Sequence, residues 1–313
     1  MKNIRAVFMG TPEFAVPILE SLSEVVNVVL VVSQPDKPVG RKKIVTPSPV
    51  KKLALEKGIE VVTPEKIRTD YQAVVDAKPD IIVTCAYGQI IPREILELPR
   101  LGPINVHASL LPKLRGGAPI HRAIMEGYDK TGITIMYMDE HMDSGDIISQ
   151  REVPITNEDT LDTLSAKLMS LGSELLIETL PKIVEGTNER IKQNEEEVSF
   201  GYIIKKEDEL LDFKKSTKEV YDKIRALNST PGAYFILHGK KIKVYESRIG
   251  SKKGTPEYVT DIYKDGLGIG TSDGEIIITK IKPEGKNMVE VKDYLNGIKK
   301  ENLLGVKVND TLD

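Results

Sequence analysis

Residues 4–32 read IRAVFMGTPEFAVPILESLSEVVNVVLVV, and their pattern decides the fold. Ile4 to Met9 is a continuous apolar, β-prone run that Gly10-Thr11-Pro12 breaks. Phe14, Val16, Ile18, Leu19 and Leu22 then recur at helical spacing, and Val25 to Val32 supplies a second apolar run interrupted only by Asn27. The order strand, loop, helix, strand continues outward. A helix is expected over Pro49 to Lys57, and strands over Ile59 to Val62, Ile81 to Ala86, Ile104 to Leu111 and Ile133 to Met138. A short helix near Pro119 to Met125 separates the last two, and Ile147 to Pro154 reads as an added edge strand. Strands that are apolar throughout are buried on both faces, so the alternation predicts an α/β domain with a parallel sheet covered by helices on both sides.

The segment Thr160 to Val184 carries leucines 161, 164, 168, 171, 175, 176 and 180 at helical spacing and reads as a long amphipathic helix closing this domain. Asn188 to Glu197 is charged and without periodicity, which suits a linker on the surface. Beyond it, Thr217 to Leu227 is a helix. Ala233 to Leu237, Lys241 to Ser247, Tyr258 to Tyr263, Gly266 to Thr271 and Glu275 to Ile281 are short β-prone runs separated by turns such as His238-Gly239 and Asp273-Gly274. That spacing predicts a small β-barrel. The expected organisation is residues 1–187 as one domain, 188–205 as linker and 206–313 as the barrel domain.

Apolar residues make up 40% and charged residues 29% of the 313, the balance of an ordinary globular protein. The longest apolar stretches fall far short of the roughly 20 residues that span a bilayer, and the N-terminus lacks the features of a secretory signal, so a cytoplasmic location is expected. The single cysteine, Cys85, has no partner for a disulfide or a zinc site and reads as strand packing. Net charge is −3, yet residues 205–313 hold 21 Lys plus Arg against 18 Asp plus Glu, a balance of +3 that leaves −6 for the rest.

The densest polar cluster on an apolar strand is Asn105-Val106-His107. Strand alternation points Asn105 and His107 the same way, at the end of a strand where open α/β sheets bind ligands. A core histidine hydrogen-bonded to an amide is the competing reading of that pair. Asp139, Asp143 and Asp146 follow the strand Ile133 to Met138, and a carboxylate of the tight Asp143-Ser144-Gly145-Asp146 loop can reach His107, where it would orient the imidazole and favour its charged form. Taken singly, each of these aspartates is better accounted for by ordinary turn chemistry.

The string Asn105-Val106-His107-Ala108-Ser109-Leu110-Leu111-Pro112, followed by Arg115-Gly116-Gly117-Ala118-Pro119-Ile120, closely resembles the signature of the methionyl-tRNA formyltransferase family. Phe8 to Phe14 is similar to that family's first strand and loop, and Gln34 to Pro38 with Thr46 to Lys51 to its insertion. Asp143-Ser144-Gly145-Asp146 is similar to its aspartate loop. Pro231 to Tyr234, Pro283 to Lys286 and Tyr294 to Gly297 resemble motifs of its C-terminal domain. The resemblance implies a Rossmann-like formyltransferase domain, an oligonucleotide-binding type of barrel, 10-formyltetrahydrofolate as formyl donor without a metal, and the methionyl initiator tRNA as acceptor. It places Asn105, His107 and Asp143 at the catalytic positions. Ser109, Leu110, Leu111 and Pro112 match the folate loop, and the backbone of Ala86, Tyr87, Gly88, Gln89 and Ile90 lines the pterin pocket. The family often carries tryptophan in its C-terminal domain, whereas this chain has none and shows Asp212-Phe213 instead.

Between Asp36 and Leu53, Lys37, Arg41, Lys42, Lys43, Lys51 and Lys52 lie among prolines and Gly40, predicting a long, basic, irregular loop. With the family likeness, Lys37, Arg41, Lys42, Lys43 and Lys51 are expected to meet tRNA phosphates, with Arg41 the preferred specificity residue. The alternatives are a relative that formylates a small-molecule amine, which would need neither the basic insertion nor the C-terminal segment, and a noncatalytic RNA-binding module. A dinucleotide oxidoreductase is disfavoured because Gly10-Thr11-Pro12-Glu13 lacks the three-glycine fingerprint. Nothing like a large exposed apolar face is evident, so a monomer is expected.

Overall fold

The opening apolar run forms β1 (Arg5–Gly10), a single 3-10 turn leads into α1 (Val16–Val25), and β2 (Asn27–Val32) returns parallel to β1. Pro17 sits in the first turn of α1, where its missing N–H leaves no bond unmade. The chain continues through β3 (Lys37–Val39), β4 (Ile44–Thr46), α2 (Pro49–Glu56), β5 (Val61–Val62), α3 (Gln72–Asp76), β6 (Ile81–Cys85) and α4 (Arg93–Leu96). It then forms β7 (Pro103–His107), α5 (Pro119–Met125), β8 (Lys130–Tyr137), β9 (Ile147–Pro154) and α6 (Leu161–Glu185). The computed structural model describes residues 1–40, 43–296 and 298–310. It divides into two units, one of residues 1–119, 130–154 and 165–202, the other of 120–129, 155–164 and 203 onward.

In the first unit a seven-stranded sheet runs in the order β5-β2-β1-β6-β7-β8-β9. The pairs from β5 to β7 are parallel, as the alternation predicts. The expectation of a wholly parallel sheet is corrected at its far edge, where β8 pairs antiparallel with β7 and β9 antiparallel with β8. Sequence could not show this, because residues 131–136 of β8 are all buried and continuous burial carries no direction. The alternating burial of β9 does mark it as an edge strand.

This reversal shapes the site. Thr134 lies opposite His107 and Tyr137 opposite Ile104, so β8 ends beside the start of β7. The 138–146 loop must therefore fold back along the sheet to bring a side chain to His107. Gly145 makes this possible, since a Cβ there would collide with the Tyr137 carbonyl. Val106, between the two polar residues of β7, faces the other way, towards Gly172 of α6. On the face away from α6, Leu111, Met136 and Ile147 form a small cluster, and Val7, Met9, Leu30, Ile82 and Ile95 belong to a larger one.

Residues 188–202, expected as a surface linker, are tied to the first unit. Ile191 exchanges backbone hydrogen bonds with Ile147, and Arg115 and Ala118 bond to Ser199 and Gly201. These are isolated backbone bonds between irregular segments, which leave no hydrophobic period to read.

The second unit holds α7 (Thr217–Ala226), β10 (Ala233–Leu237), β11 (Lys240–Ile249), β12 (Val259–Ile262), β13 (Leu267–Gly270), β14 (Glu275–Pro283), β15 (Val289–Glu290) and α8 (Val291–Tyr294). Its antiparallel sheet runs β10-β11-β14-β13-β12, with β15 on β14. His238 and Gly239 turn β10 into β11 with φ of 50° and 72°, as a two-residue hairpin of the I′ type requires. The segment 305–309 bridges the outer strands. Val259 N donates to Val306 O and Gly305 N to Val259 O, while Asn309 N donates to Ile236 O at 2.8 Å. Phe213 and Phe235, both fully buried, meet edge to face at 6.0 Å in the core of this tryptophan-free unit. Ser216 and Glu219 form a capping box at the start of α7, and Asp273 accepts from Thr217 N at 2.8 Å, which together satisfy the N-cap amide and two first-turn amides.

Candidate active site

Asn105 and His107 leave β7 on the same side of the sheet, as its pleat dictates. Thr84, a buried hydroxyl in the otherwise apolar β6, donates to Asn105 Oδ1 at 2.8 Å. That bond fixes the amide so that Nδ2 is presented outward, towards Asp143 Oδ1 at 3.5 Å. His107 is buried, and its Nε2 meets the Leu114 carbonyl at 3.1 Å. A carbonyl only accepts, so Nε2 carries the proton and Nδ1 is the atom free to work.

Nδ1 faces Asp143 Oδ2 at 3.7 Å. The same oxygen accepts from Gly116 N at 2.8 Å. Asp143 is thus anchored on one side by a backbone amide while its contacts to Asn105 and His107 stay longer than a good hydrogen bond, so both donors keep bonding capacity for a reacting group. Asp143 has φ of 53° and Leu114 φ of 59°, left-handed conformations that residues with a Cβ adopt at a cost. Both are residues that present a polar group to this cluster.

The surroundings hold these conformations. Leu114 N donates to Ser199 Oγ at 3.0 Å and Gly201 N to Arg115 O at 2.8 Å. Gln193 Nε2 donates to the carbonyls of both Asp143 and Gly145 at 2.8 Å, and its Oε1 accepts from Arg115 Nε at 3.0 Å. Arg115 is buried and completes its bonding with Glu195, whose carboxyl the guanidinium holds below its usual range. The other two aspartates do turn chemistry: Asp139 accepts from Ser144 Oγ and His141 N, and Asp146 pairs with Arg190.

Sequence reading missed Thr84, Gly116 N, Gln193 and Ser199. Thr84 was detectable as the one hydroxyl in an apolar strand, whereas Gln193 sits in a charged stretch with no pattern.

The residues expected to hold the folate lie in two loops. Ser109 Oγ donates to Lys113 O at 2.6 Å, Leu111 N donates to Thr134 Oγ1, and the Leu111 carbonyl accepts from Gln150. Ser109 and Leu111 are therefore committed within the protein, while Leu110 and Pro112 are half-buried. Ala86 and Gly88 have φ of 49° and 86°, which peels the 86–90 loop away from the end of β6. The Tyr87 carbonyl accepts from Thr11 Oγ1 and Gln34 Nε2, and Gln89 bonds to Ile67 N and Pro64 O. Tyr87 is buried with its hydroxyl unpaired, and burial pushes the phenol up to about 12. Ile90 is 66% exposed. Ile90 is therefore the exposed apolar side chain of this loop, while the Gln89 amide is taken up within the protein. Cys85, fully buried, has its thiol pushed up to about 12 and takes no part in nucleophilic chemistry.

The basic insertion is more regular than expected, because β3 and β4 pair as an antiparallel hairpin. Lys37 and Lys43 are exposed on it, beside Ile44 and Val45. Lys51 instead bridges to Asp36 at 2.8 Å and braces the base of the hairpin. Arg41 and Lys42 lie outside the described residues. Among the described residues, no His, Cys, Asp and Glu group is disposed to hold a metal, and no helix is long and apolar enough to cross a membrane.

A Rossmann-like sheet bearing an Asn, His and Asp cluster, joined to an antiparallel β-unit, defines the class. Residues 2–180 match the formyl transferase family model and residues 203–299 that of the formyl transferase C-terminal domain, and the chain belongs to this family. Its relatives narrow the group to methionyl-tRNA formyltransferases. It is 50% identical to the enzyme of that name from Bacillus cereus (strain G9842) and 45% identical to that from Macrococcus caseolyticus, covering 98% of this chain and 99% of each relative. The fold is also similar to HypX from Aquifex aeolicus, solved in complex with tetrahydrofolic acid, with a TM-score of 0.64 and 22% identity over 97% of this chain. The chain spans about half of HypX, 48% of its length.

Proposed function

We propose that the protein transfers the formyl group of 10-formyltetrahydrofolate to the amino group of methionyl initiator tRNA. The observation that carries this reading is the convergence of Asn105 Nδ2, His107 Nδ1 and the Asp143 carboxylate in a chain about half identical, end to end, to enzymes named for that reaction. The tRNA acceptor belongs to translation, which makes the cytoplasm its place of action, and we read it as a monomer. The first unit carries the chemistry, and the second, with the basic hairpin, carries tRNA contact. Lys37 and Lys43, together with Arg41 and Lys42, engage acceptor-stem phosphates, and Lys51 sets the hairpin's base. The backbone of Ala86 to Ile90 and the half-buried Leu110 and Pro112 receive the folate, while Ser109 and Leu111 shape the loop.

The neutral amine attacks the formyl carbon, and negative charge develops on the formyl oxygen. Asn105 Nδ2 and a protonated His107 Nδ1 are the donors that stabilise it. Asp143 supports the imidazolium and receives the proton that the amine sheds, passing it towards the departing N10. Direct transfer needs no covalent enzyme intermediate, in keeping with the buried, committed Ser109.

The reading is tested by transfer of labelled formyl from 10-formyltetrahydrofolate, with methionyl initiator tRNA, methionyl elongator tRNA and a small sugar-nucleotide amine offered separately. Transfer specific to the initiator is expected. Turnover with the sugar amine alone would establish the small-molecule alternative instead.

Gln193 yields a sharper expectation. Gln193→Ala removes both bonds to the Asp143 loop, and displacement of a catalytic group by about an ångström costs roughly 100-fold. A fall in kcat of about 10- to 100-fold is expected, with the KM for folate within twofold of wild type. A kcat equal to wild type would show that the loop keeps its left-handed geometry unaided.

A further inference from the structure

Three exposed apolar residues border the catalytic cluster and have no part in the chemistry so far. Phe200 is 42% exposed, Tyr202 59% and Met142 55%. The two rings stack on each other, with centroids 5.4 Å apart and planes inclined by 14°. They flank Gly201, whose carbonyl would lie 3.1 Å from a Cβ on Gly116, and Gly116 N is the donor that holds Asp143. Met142 directly precedes Asp143, and its Cε comes within 3.8 Å of the same Gly116 position. Backbone bonds of Arg115 to Ser199 and Gly201 lock the ring-bearing segment to this loop. The backbone that carries the exposed rings is therefore held beside the catalytic carboxylate.

We propose that Phe200 and Tyr202 form a stacking platform for the base of the unpaired 3′-terminal nucleotide of the tRNA. The proposal rests on the reading of the protein as a tRNA formyltransferase. The amine that reaches Asp143 is carried on an aminoacyl group esterified to the ribose of that nucleotide, so its base must lie one ribose and one ester away from the cluster. Single-stranded nucleotides are held largely by stacking on aromatic faces. The outer face of this stacked pair, whose second ring braces the first, offers a flat surface of that kind. A thioether side chain would instead call for an enclosed apolar pocket, and all three residues are open. Neither ring carries charge, so the platform complements the phosphate contacts of the basic hairpin and supplies grip where the RNA is no longer helical.

The test uses full-length protein and methionyl initiator tRNA with 2-aminopurine in place of the terminal adenine, bound without folate so that no transfer occurs. Quenching of the probe is expected with wild type and with Phe200→Trp, and its loss with Phe200→Ala and Tyr202→Ala. With unmodified tRNA and folate, the alanine variants should raise the KM for methionyl-tRNA by roughly 5- to 100-fold, the range that stacking one base on one ring supplies. The KM for the folate should stay within twofold. An unquenched probe on active wild-type enzyme, or alanine variants with unaltered KM for tRNA, would overturn the platform and leave the formyltransferase reading intact. Failure of folded wild type to formylate any tRNA would overturn that reading and the platform with it.

Discussion

Asp143→Asn is expected to lower kcat for formyl transfer by about three orders of magnitude while leaving the protein folded. The carboxylate stands between three groups that all present hydrogen: Gly116 N at 2.8 Å, Asn105 Nδ2 at 3.5 Å and His107 Nδ1, when protonated, at 3.7 Å. An asparagine of the same shape keeps one acceptor and turns the other position into a donor. If the oxygen stays on Gly116 N, the NH2 faces the amide of Asn105. If it turns over, the NH2 opposes Gly116 N–H. Either arrangement repels what the native carboxylate attracts. The side chain also loses its capacity to take a proton from the attacking amine, and general acid–base groups contribute about 10² to 10⁴ in rate. Single-turnover transfer at saturating folate and methionyl-tRNA measures this directly. A loss smaller than tenfold would show that another group moves the proton. Unchanged thermal unfolding would separate this loss from misfolding.

How much of this cluster could be read beforehand follows from what each residue depends on. Asn105 and His107 were legible because a two-residue period fixes their common direction, and no tertiary information is needed for that. Asp143 was one of three aspartates in a loop, and only the fold-back past Tyr137 selects it over Asp139 and Asp146. The fold-back follows from the antiparallel β8, whose direction continuous burial conceals. Gln193 and Ser199 were illegible for a related reason: they act through backbone carbonyls and amides of distant loops, and such bonds leave no periodic trace in the sequence. The hairpin of β3 and β4 was hidden by its length. Strands of three residues, set in a stretch rich in lysine and proline, read as irregular chain. In the second unit β10 to β14 were legible to within two residues at each end, because glycine-bearing turns punctuate them, whereas the two-residue β15 was too short to read. What was not legible is the bridging by residues 305–309, since it depends on Asn309 meeting Ile236 and on Val306 meeting Val259 across the sequence.

Geometry also gives the cluster an internal hierarchy. Thr84 sets Asn105, the Leu114 carbonyl sets His107, and Gly116 N sets Asp143. The last two anchors lie three residues or fewer apart on the segment that Ser199 and Gly201 hold in place. Histidine and carboxylate are thus oriented by one short stretch of backbone. Whatever disturbs that stretch moves both, whereas Asn105 is oriented separately from β6.

His107→Ala is accordingly expected to cost roughly 10² to 10³ in kcat, the usual loss for one oxyanion donor, and the double variant His107→Ala with Asp143→Asn should be scarcely slower than Asp143→Asn alone. Without the carboxylate, His107 has no anion to orient its imidazole and support its charged form, so most of its contribution has already been lost. Residues that act as one unit show this strong non-additivity. Asn105→Ala combined with either variant should instead come closer to multiplying the two losses, because its amide is positioned by Thr84 on another strand. Rates of the three single and three double variants under single-turnover conditions decide the matter. Full multiplication for His107 and Asp143 would mean that they serve separate steps, and the shared backbone anchor would then be a matter of folding and not of mechanism.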